Sequence, residues 1–94
     1  MKKAERMHMD RVVALGCLPC RQEGHPESPA GIHHIRDGQG GSQRASHYET
    51  LPLCGLHHQH GGYGVAFHAG QEAWEEKYGT ERELLAQVRE ELGI

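Results

Sequence analysis

The sequence has few aromatic residues and a modest apolar content. Among its 94 residues, aromatic side chains make up 5% and hydrophobic residues 36%, which is below the apolar share of an ordinary globular domain. A chain of this length buries only about two-thirds of the surface that its unfolded form exposes, so its core is thin. We therefore expect a second source of cohesion, and a bound metal ion is the natural one for a small domain.

Long apolar runs are also missing. No stretch approaches the roughly 18 residues that a bilayer-spanning helix needs, and no positively charged leader followed by an apolar segment opens the chain. We therefore expect a soluble, intracellular protein with no membrane partner. The three cysteines cannot all pair within one chain, which favours a reduced compartment.

An excess of positive charge is absent as well. The formal net charge of −3 disfavours a protein that binds nucleic acid through a broad basic surface, so any contact with DNA must be local. Arg21, Arg36 and Arg44 flank the histidine-rich middle of the chain and could form a local positive cleft there.

Histidine is unusually abundant, with 9 residues in the chain. Seven of them lie in the middle of the chain: His33, His34, His47, His57, His58, His60 and His68. Imidazole binds transition metals and titrates near neutral pH, so this segment is the main candidate for a functional site. We expect His8 and His25, which have no partner at a useful spacing, to be surface residues, and His60 to be a solvated residue at a helix end.

Hydrophobic spacing predicts helices at both ends of the chain. One helix is predicted over residues 2–15, and two more within residues 71–92. Thr80 and Glu83 have the spacing of a capping box, which marks the start of the last helix. Trp74 is expected in the core rather than on a base-stacking surface.

The middle of the chain, residues 17–68, is predicted to form a hairpin followed by a short helix. Strands are predicted over residues 30–36 and 48–53, joined by a glycine-rich loop over residues 37–42. The short helix begins at Cys54. The fold class that follows is α+β, a small ββα unit with flanking helices.

Two pairs of residues with metal-ligand spacing flank the hairpin. Cys17-x2-Cys20 is matched by Cys54-x2-His57, and four thiolate and imidazole ligands make the closed tetrahedral shell of a structural Zn²⁺ site. Two alternatives are that these are ordinary buried cysteines or a redox C-x2-C pair. A redox pair follows a strand and precedes a helix, whereas here a helix precedes and a loop is predicted over residues 21–29.

The order of these motifs resembles a known class of enzyme. C-x2-C, His-His-Ile, a polar loop and Leu-Cys-x2-His-His resemble the HNH nucleases, also called His-Me finger or ββα-metal nucleases. More narrowly, HHIRDGQGGSQRASHYETLPLCGLHH, followed by FHAG and WEEKYGTERELL, is similar to the Ref family of phage recombination-enhancement, RecA-dependent nucleases. The similarity covers residues 17–85. It implies a single HNH nuclease domain over residues 1–94, in the cytoplasm of a bacterial host cell, with DNA and a RecA-type recombinase filament as partners.

The resemblance also implies roles for individual histidines. His33 would bind a divalent catalytic metal ion (Mg²⁺, Mn²⁺ or Zn²⁺), and His34 would be the general base that takes a proton from the attacking water. His58 would bind the same ion, and so would His68, although the stretch between these two is longer than the H-x3-H of the family. Cleavage would leave 5′-phosphate and 3′-hydroxyl ends.

The central asparagine of the HNH pattern is missing from this sequence. In the family it holds the loop that orients the base, and its place here is taken by His47 or Glu49. Two other functions fit the sequence. One is a non-catalytic zinc-binding module that binds DNA or a recombinase, and the other is a transition-metal-binding protein, which rests on the histidine count alone.

Overall fold

Helices flank a short antiparallel sheet in this protein. The computed structural model describes residues 1–40 and 43–94. Within these ranges the elements follow the chain in the order α1 (Lys3–Ala14), α2 (Leu18–Gln22), β1 (Gly31–His34), β2 (Thr50–Leu53), a π-helical turn (Leu56–His60), a 3-10 turn (Phe67–Ala69), α3 (Gln71–Tyr78) and α4 (Glu81–Leu92). The predicted α+β class, with two strands and flanking helices, is confirmed.

Both strands are shorter than their predicted ranges. β1 ends at His34, although the N–H of Ile35 still donates to the carbonyl oxygen of Glu49 at 3.1 Å. The next two N–H groups, those of Arg36 and Asp37, donate instead to the carboxylate of Glu81. A side chain from α4 therefore replaces the partner strand at this point, and this contact between distant residues ends the sheet.

The helices at the ends of the chain agree with their predictions. α1 is one residue shorter at each end than the predicted 2–15. α4 begins with the predicted capping box, in which the hydroxyl of Thr80 accepts from the N–H of Glu83 at 3.1 Å and the Glu83 carboxylate accepts from the N–H of Thr80 at 2.9 Å. These two bonds satisfy N–H groups that a helix start leaves without partners.

Two predictions for the middle of the chain were wrong in detail. The loop predicted over residues 21–29 begins later, because α2 continues to Gln22, with a proline in its first turn, where proline suits a helix. The helix predicted from Cys54 is a single π-helical turn, closed by the N–H of Gly61 donating to the carbonyl oxygen of Leu56 at 2.9 Å. Part of the predicted glycine-rich loop, at positions 41–42, lies outside the described residues.

The core lies between the sheet and the helices. Its buried apolar side chains are Val12, Leu18, Ile35, Ala45, Leu51, Leu53, Phe67, Trp74, Tyr78, Leu84, Leu85 and Val88. Trp74 is fully buried, as predicted. In the described part of the chain, no helix has both the length and the apolar character that crossing a bilayer requires.

His8 was predicted at the surface, and this prediction was wrong. The residue is only 7% exposed, and its ring packs against that of Tyr48, with 5.0 Å between the centroids. His8 lies one helical turn before Val12, which is fully buried, so both side chains lie on the inward face of α1. The surface prediction considered only metal-ligand spacing and did not use the helical spacing that places His8 and Val12 on one face of α1.

Candidate metal centres and active site

The first candidate centre brings together the four residues of the two predicted pairs. The Sγ atoms of Cys17, Cys20 and Cys54 and the Nδ1 atom of His57 all lie within 4.8 Å of one another. The hydrogen-bond-range separations among them run from 3.1 to 3.6 Å. Ligands around one tetrahedral Zn²⁺ ion are about 3.5–3.8 Å apart at usual bond lengths. The four residues could therefore hold a metal ion such as zinc.

Each pair of ligands comes from a tight turn of the backbone. Cys17 is the N-cap of α2 and Cys20 lies within that helix, whereas Cys54 follows β2 and His57 lies in the π-helical turn. Because α2 follows Cys17 and contains Cys20, one of the differences from a redox pair that the sequence suggested is absent. Three free thiols and an imidazole converge here, and this donor set is that of a metal site rather than of a two-cysteine redox centre.

The thiols of this centre differ in acidity. Burial raises the pKa of Cys17 to about 12. Burial acts in the same direction on Cys54, but hydrogen bonds from the backbone and the ring of His57 outweigh it and lower the pKa of the Cys54 thiol to about 7. A thiolate is the form that binds metal, so Cys54 is prepared for this role near neutral pH.

A carboxylate holds the far side of the His57 ring. The Nε2 atom of His57 lies 3.0 Å from Oε1 of Glu23, and the Glu23 carboxylate also accepts from the hydroxyl of Tyr78 at 3.0 Å. The indole N–H of Trp74 donates to the carbonyl oxygen of His57 at 3.1 Å. These bonds turn Nδ1 toward the cysteines. Glu23 was not predicted, since a single glutamate in a predicted loop carries no spacing signal.

The second candidate centre is formed by three histidines. One ring nitrogen from each of His33, His58 and His68 lies within 4.8 Å of the other two. The Nε2 atoms of His58 and His68 are 3.0 Å apart, and the centroid of the His33 ring is 5.0 Å from that of His58. Burial lowers the pKa of His58 to about 4, and a neutral imidazole is the form that binds metal ions. The structure thus brings His68 to the cluster despite its longer spacing.

These histidines line an open cleft in the protein surface. Its lining consists of Ile32, His33, His34, Arg36, Arg44, His58, Gln59 and His68. Of the three arginines expected near the site, Arg36 and Arg44 border the cleft, whereas Arg21 pairs with Glu91 at 2.8 Å. Two of the three arginines that could form a local positive cleft therefore lie at it.

The ring of His33 is bound by a carboxylate on its outer nitrogen. Nε2 of His33 lies 2.7 Å from Oε2 of Glu81, and both residues are 1% exposed. Burial alone raises the pKa of Glu81, but the hydrogen bonds from His33 and from the N–H groups of Arg36 and Asp37 outweigh it and hold that pKa below its usual value. Glu81 is therefore a buried carboxylate ion. No motif spacing points to Glu81, because it lies 48 residues from its histidine.

His34 is paired with another histidine. Its Nε2 atom lies 2.9 Å from Nδ1 of His47, whereas the carboxylate of Glu49 is bound by the guanidinium group of Arg82 at 2.9 Å. Of the two candidates for the position of the missing asparagine, His47 is the one that contacts His34. Burial, followed by the charge of Arg44, lowers the pKa of His34, so its ring is neutral at neutral pH.

His25 and His60 lie at the surface, as predicted. Neither belongs to a cluster of metal-ligand atoms among the described residues. The structure adds two carboxylates, Glu23 and Glu81, to the predicted set. Of the two residues predicted for the asparagine position, it places His47 in direct contact with His34.

Comparison with protein families gives a match over nearly the whole chain. The sequence model of the family described as "recombination enhancement, RecA-dependent nuclease" matches residues 2–93. The similarity drawn from the motifs covers residues 17–85, so the match adds α1 and most of α4. Both candidate centres and the carboxylates that contact them lie inside the matched region.

Proposed function

The chain belongs to the family of recombination-enhancement, RecA-dependent nucleases, and from this premise we propose that it is a metal-dependent DNA endonuclease of the HNH type. The observation that carries the proposal is the cleft in which the ring nitrogens of His33, His58 and His68 meet beside the His34–His47 pair. The family points to DNA as the substrate and to a RecA-type filament as the partner, in the cytoplasm of a bacterial cell.

The two centres have different tasks in this proposal. The cysteine-rich centre holds a structural Zn²⁺ ion, because a shell of three thiolates and one imidazole leaves no position for a substrate. The three-histidine centre holds the catalytic divalent ion, because three protein ligands leave positions open. Its all-imidazole donor set favours a transition-metal ion such as Zn²⁺ over Mg²⁺. When bound, such an ion supplies positive charge that stabilises the transition state of phosphodiester hydrolysis.

His34 is the general base in this mechanism. We assign the proton of its hydrogen bond with His47 to Nε2 of His34, which leaves the lone pair of Nδ1 as the acceptor for a proton from the attacking water. The pKa of His34 is lowered by burial, so the ring is in its proton-accepting form at neutral pH. His47 takes over the positioning task of the family's asparagine by holding the His34 ring directly.

The cleft attracts the DNA backbone locally. Arg44 lies on its border, and the guanidinium group of Arg36 is fixed there by the carbonyl oxygens of Gln43 and Gly40 at 2.8 and 3.3 Å. Cations at this position attract phosphates without a basic surface elsewhere on the molecule. This explains how a chain with a net charge of −3 can act on DNA.

A cleavage assay tests the proposal. The purified protein is incubated with supercoiled plasmid and with single-stranded DNA, with and without RecA filaments, across Mg²⁺, Mn²⁺, Co²⁺, Ni²⁺ and Zn²⁺. We expect metal-dependent nicks that DNA ligase can seal, because the ends carry a 5′-phosphate and a 3′-hydroxyl. His34→Ala should lower the rate about 100-fold to 10,000-fold, and His25→Ala, a change at an exposed histidine, should not.

Two outcomes of this assay would contradict the proposal or the role of His34. If the wild-type protein binds one zinc ion and cleaves neither DNA with any of these metals, with or without RecA, the endonuclease proposal is wrong. The non-catalytic zinc-binding module then becomes the better description. If the protein cleaves and His34→Ala cleaves equally well, His34 is not the base.

A further inference from the structure

We propose that Glu81 is a positioning residue for the catalytic centre: its buried carboxylate holds the ring of His33 with Nδ1 directed to the ion that the three histidines bind. The inference rests on the function proposed above for this cleft. It adds a residue of the last helix, which lies in the WEEKYGTERELL segment but outside the C-x2-C, His-His and Cys-x2-His-His motifs, and it makes α4 part of the active centre.

Glu81 is a buried charge. Glu81 is 1% exposed, and a carboxylate in that position is costly unless hydrogen bonds compensate it. Its two oxygens accept from Nε2 of His33 at 2.7 Å and from the N–H groups of Arg36 at 2.7 Å and Asp37 at 2.9 Å. Buried ionic groups add little to stability compared with apolar side chains of the same volume. A role in the neighbouring centre explains why this position carries a carboxylate.

The Glu81 carboxylate also decides which nitrogen of the His33 ring carries the proton. A neutral imidazole has one N–H donor and one lone pair, and the partner of one nitrogen decides which is which. The Glu81 carboxylate can only accept, so it places the proton on Nε2 and leaves the lone pair on Nδ1. The ring is further held by Phe67, whose centroid is 4.4 Å away. We therefore assign Nδ1 as the nitrogen of His33 that groups with those of His58 and His68.

Glu81 also connects three elements of the fold through its backbone N–H and its side chain. Glu81 is the first residue of α4, and its own N–H donates to the carboxylate of Glu75 in α3 at 3.1 Å. Through its side chain it binds both the ring of His33 in β1 and the backbone that follows this strand. The end of β1, which carries a ligand, is thus fixed to the start of the last helix by a single side chain.

The test has a readout that needs neither bound catalytic ion nor DNA. Ring nitrogens of ¹⁵N-labelled protein, with zinc in the cysteine centre and no other metal added, report by NMR which nitrogen of His33 carries the proton at a pH where the ring is neutral. We expect the proton on Nε2 in the wild-type protein. In Glu81→Gln the protonation should shift toward a mixture, since an amide can both accept and donate. Glu76→Gln, at an exposed position of α3, is the matched control.

A Co²⁺ titration gives the second readout. Co²⁺ added to protein that already holds zinc in the cysteine centre binds the three histidines and gives a visible absorption spectrum. We expect Glu81→Gln to weaken this binding about 10-fold to 100-fold and Glu76→Gln to leave it unchanged. Glu81→Asp keeps the charge on a shorter side chain and should recover part of the lost affinity.

The outcomes separate this inference from the proposed function. A wild-type His33 with its proton on Nδ1 overturns the role of Glu81 without any variant, so a Glu81→Gln protein that fails to fold does not block the test. Equal Co²⁺ affinity in folded wild-type and Glu81→Gln proteins overturns it as well. If the proton is on Nε2 and Glu81→Gln weakens Co²⁺ binding while the wild-type protein cleaves no DNA, the positioning role holds and the nuclease proposal fails.

Discussion

Oε1 of Glu23 lies 3.0 Å from Nε2 of His57, on the opposite side of the ring from the cysteine sulfurs. Glu81 repeats this arrangement at His33, where the corresponding distance is 2.7 Å. Each candidate metal centre therefore contains one histidine whose outer nitrogen is bound by a carboxylate, the arrangement that fixes the ring and raises the basicity of the nitrogen facing the ion. The two centres share this carboxylate–histidine pair, although their ligands and their proposed tasks differ.

The first prediction concerns the structural ion. Because the core is thin, removing zinc should abolish cooperative unfolding, since structural zinc sites supply roughly 10 kcal/mol or more of apparent folding free energy. Thermal unfolding followed by circular dichroism, with and without a strong chelator, measures this. Cys20→Ala should behave like the chelated wild-type protein. An unchanged melting temperature under both treatments would show that the cysteine centre does not stabilise the fold.

The second prediction concerns Glu23. Glu23→Gln should lower zinc affinity about 10-fold to 100-fold, because the amide no longer provides the charge that the His57 ring contacts. Competition with a coloured chelator measures the affinity. Glu27→Gln, an exposed position in the same loop, is the control and should retain wild-type affinity. Equal affinities in all three proteins would remove Glu23 from the zinc centre.

The third prediction separates His47 from Glu49. His47→Ala should lower the turnover rate of DNA cleavage about 10-fold to 100-fold with little change in KM, because it releases the ring of His34 rather than the substrate. His47→Asn should recover much of the loss, since an amide oxygen can accept from Nε2 of His34. Glu49→Gln should have little effect, because its carboxylate binds Arg82. A larger loss in Glu49→Gln than in His47→Ala would reverse the assignment.

The fourth prediction concerns His8 and the pH dependence of stability. Burial, and then the charges of Arg11 and Arg89, lower the pKa of His8 in the folded protein, and its buried Nε2 has no hydrogen-bond partner among the described residues. Below the unfolded pKa of about 6.5 the unfolded chain binds the proton more readily, so stability falls as the pH is lowered from 6.5 toward the folded pKa.

Urea unfolding of His8→Leu and wild-type proteins, measured at several pH values from 7.5 down to 5, checks this prediction. The free energy of unfolding of the wild-type protein should decrease more steeply, by at most about 1.4 kcal/mol per pH unit for this one proton. His25→Leu, a change at an exposed position, should keep the wild-type slope. Parallel pH profiles for wild-type and His8→Leu proteins would contradict the effect of burial on the His8 pKa.

Features set by local sequence were predictable. The capping box of Thr80 and Glu83 lies at the start of α4 as expected, and α3 and α4 both lie within residues 71–92, where two helices were predicted. The Cys17-x2-Cys20 and Cys54-x2-His57 pairs come together because short turns fix the geometry within each pair and the hairpin brings the pairs to one place. These predictions rested on the spacing of residues that lie close together in the sequence.

Features that depend on contacts between distant residues were not predictable. The end of β1 is set by Glu81, whose carboxylate takes the N–H groups of Arg36 and Asp37. The choice between His47 and Glu49 depends on which side chain reaches His34. Glutamates are common, and nothing in their spacing marks one that binds a histidine across the fold.

The central claim is that His33, His58 and His68 bind one ion beside His34. An anomalous-difference map from crystals of the zinc-containing protein soaked in Mn²⁺ or Co²⁺ tests it most directly. The account predicts a single peak in the cleft, bonded to one nitrogen of each of the three histidines, and its loss in crystals of His58→Ala. A map with no peak in the cleft, or with an ion that His33 does not contact, would contradict it.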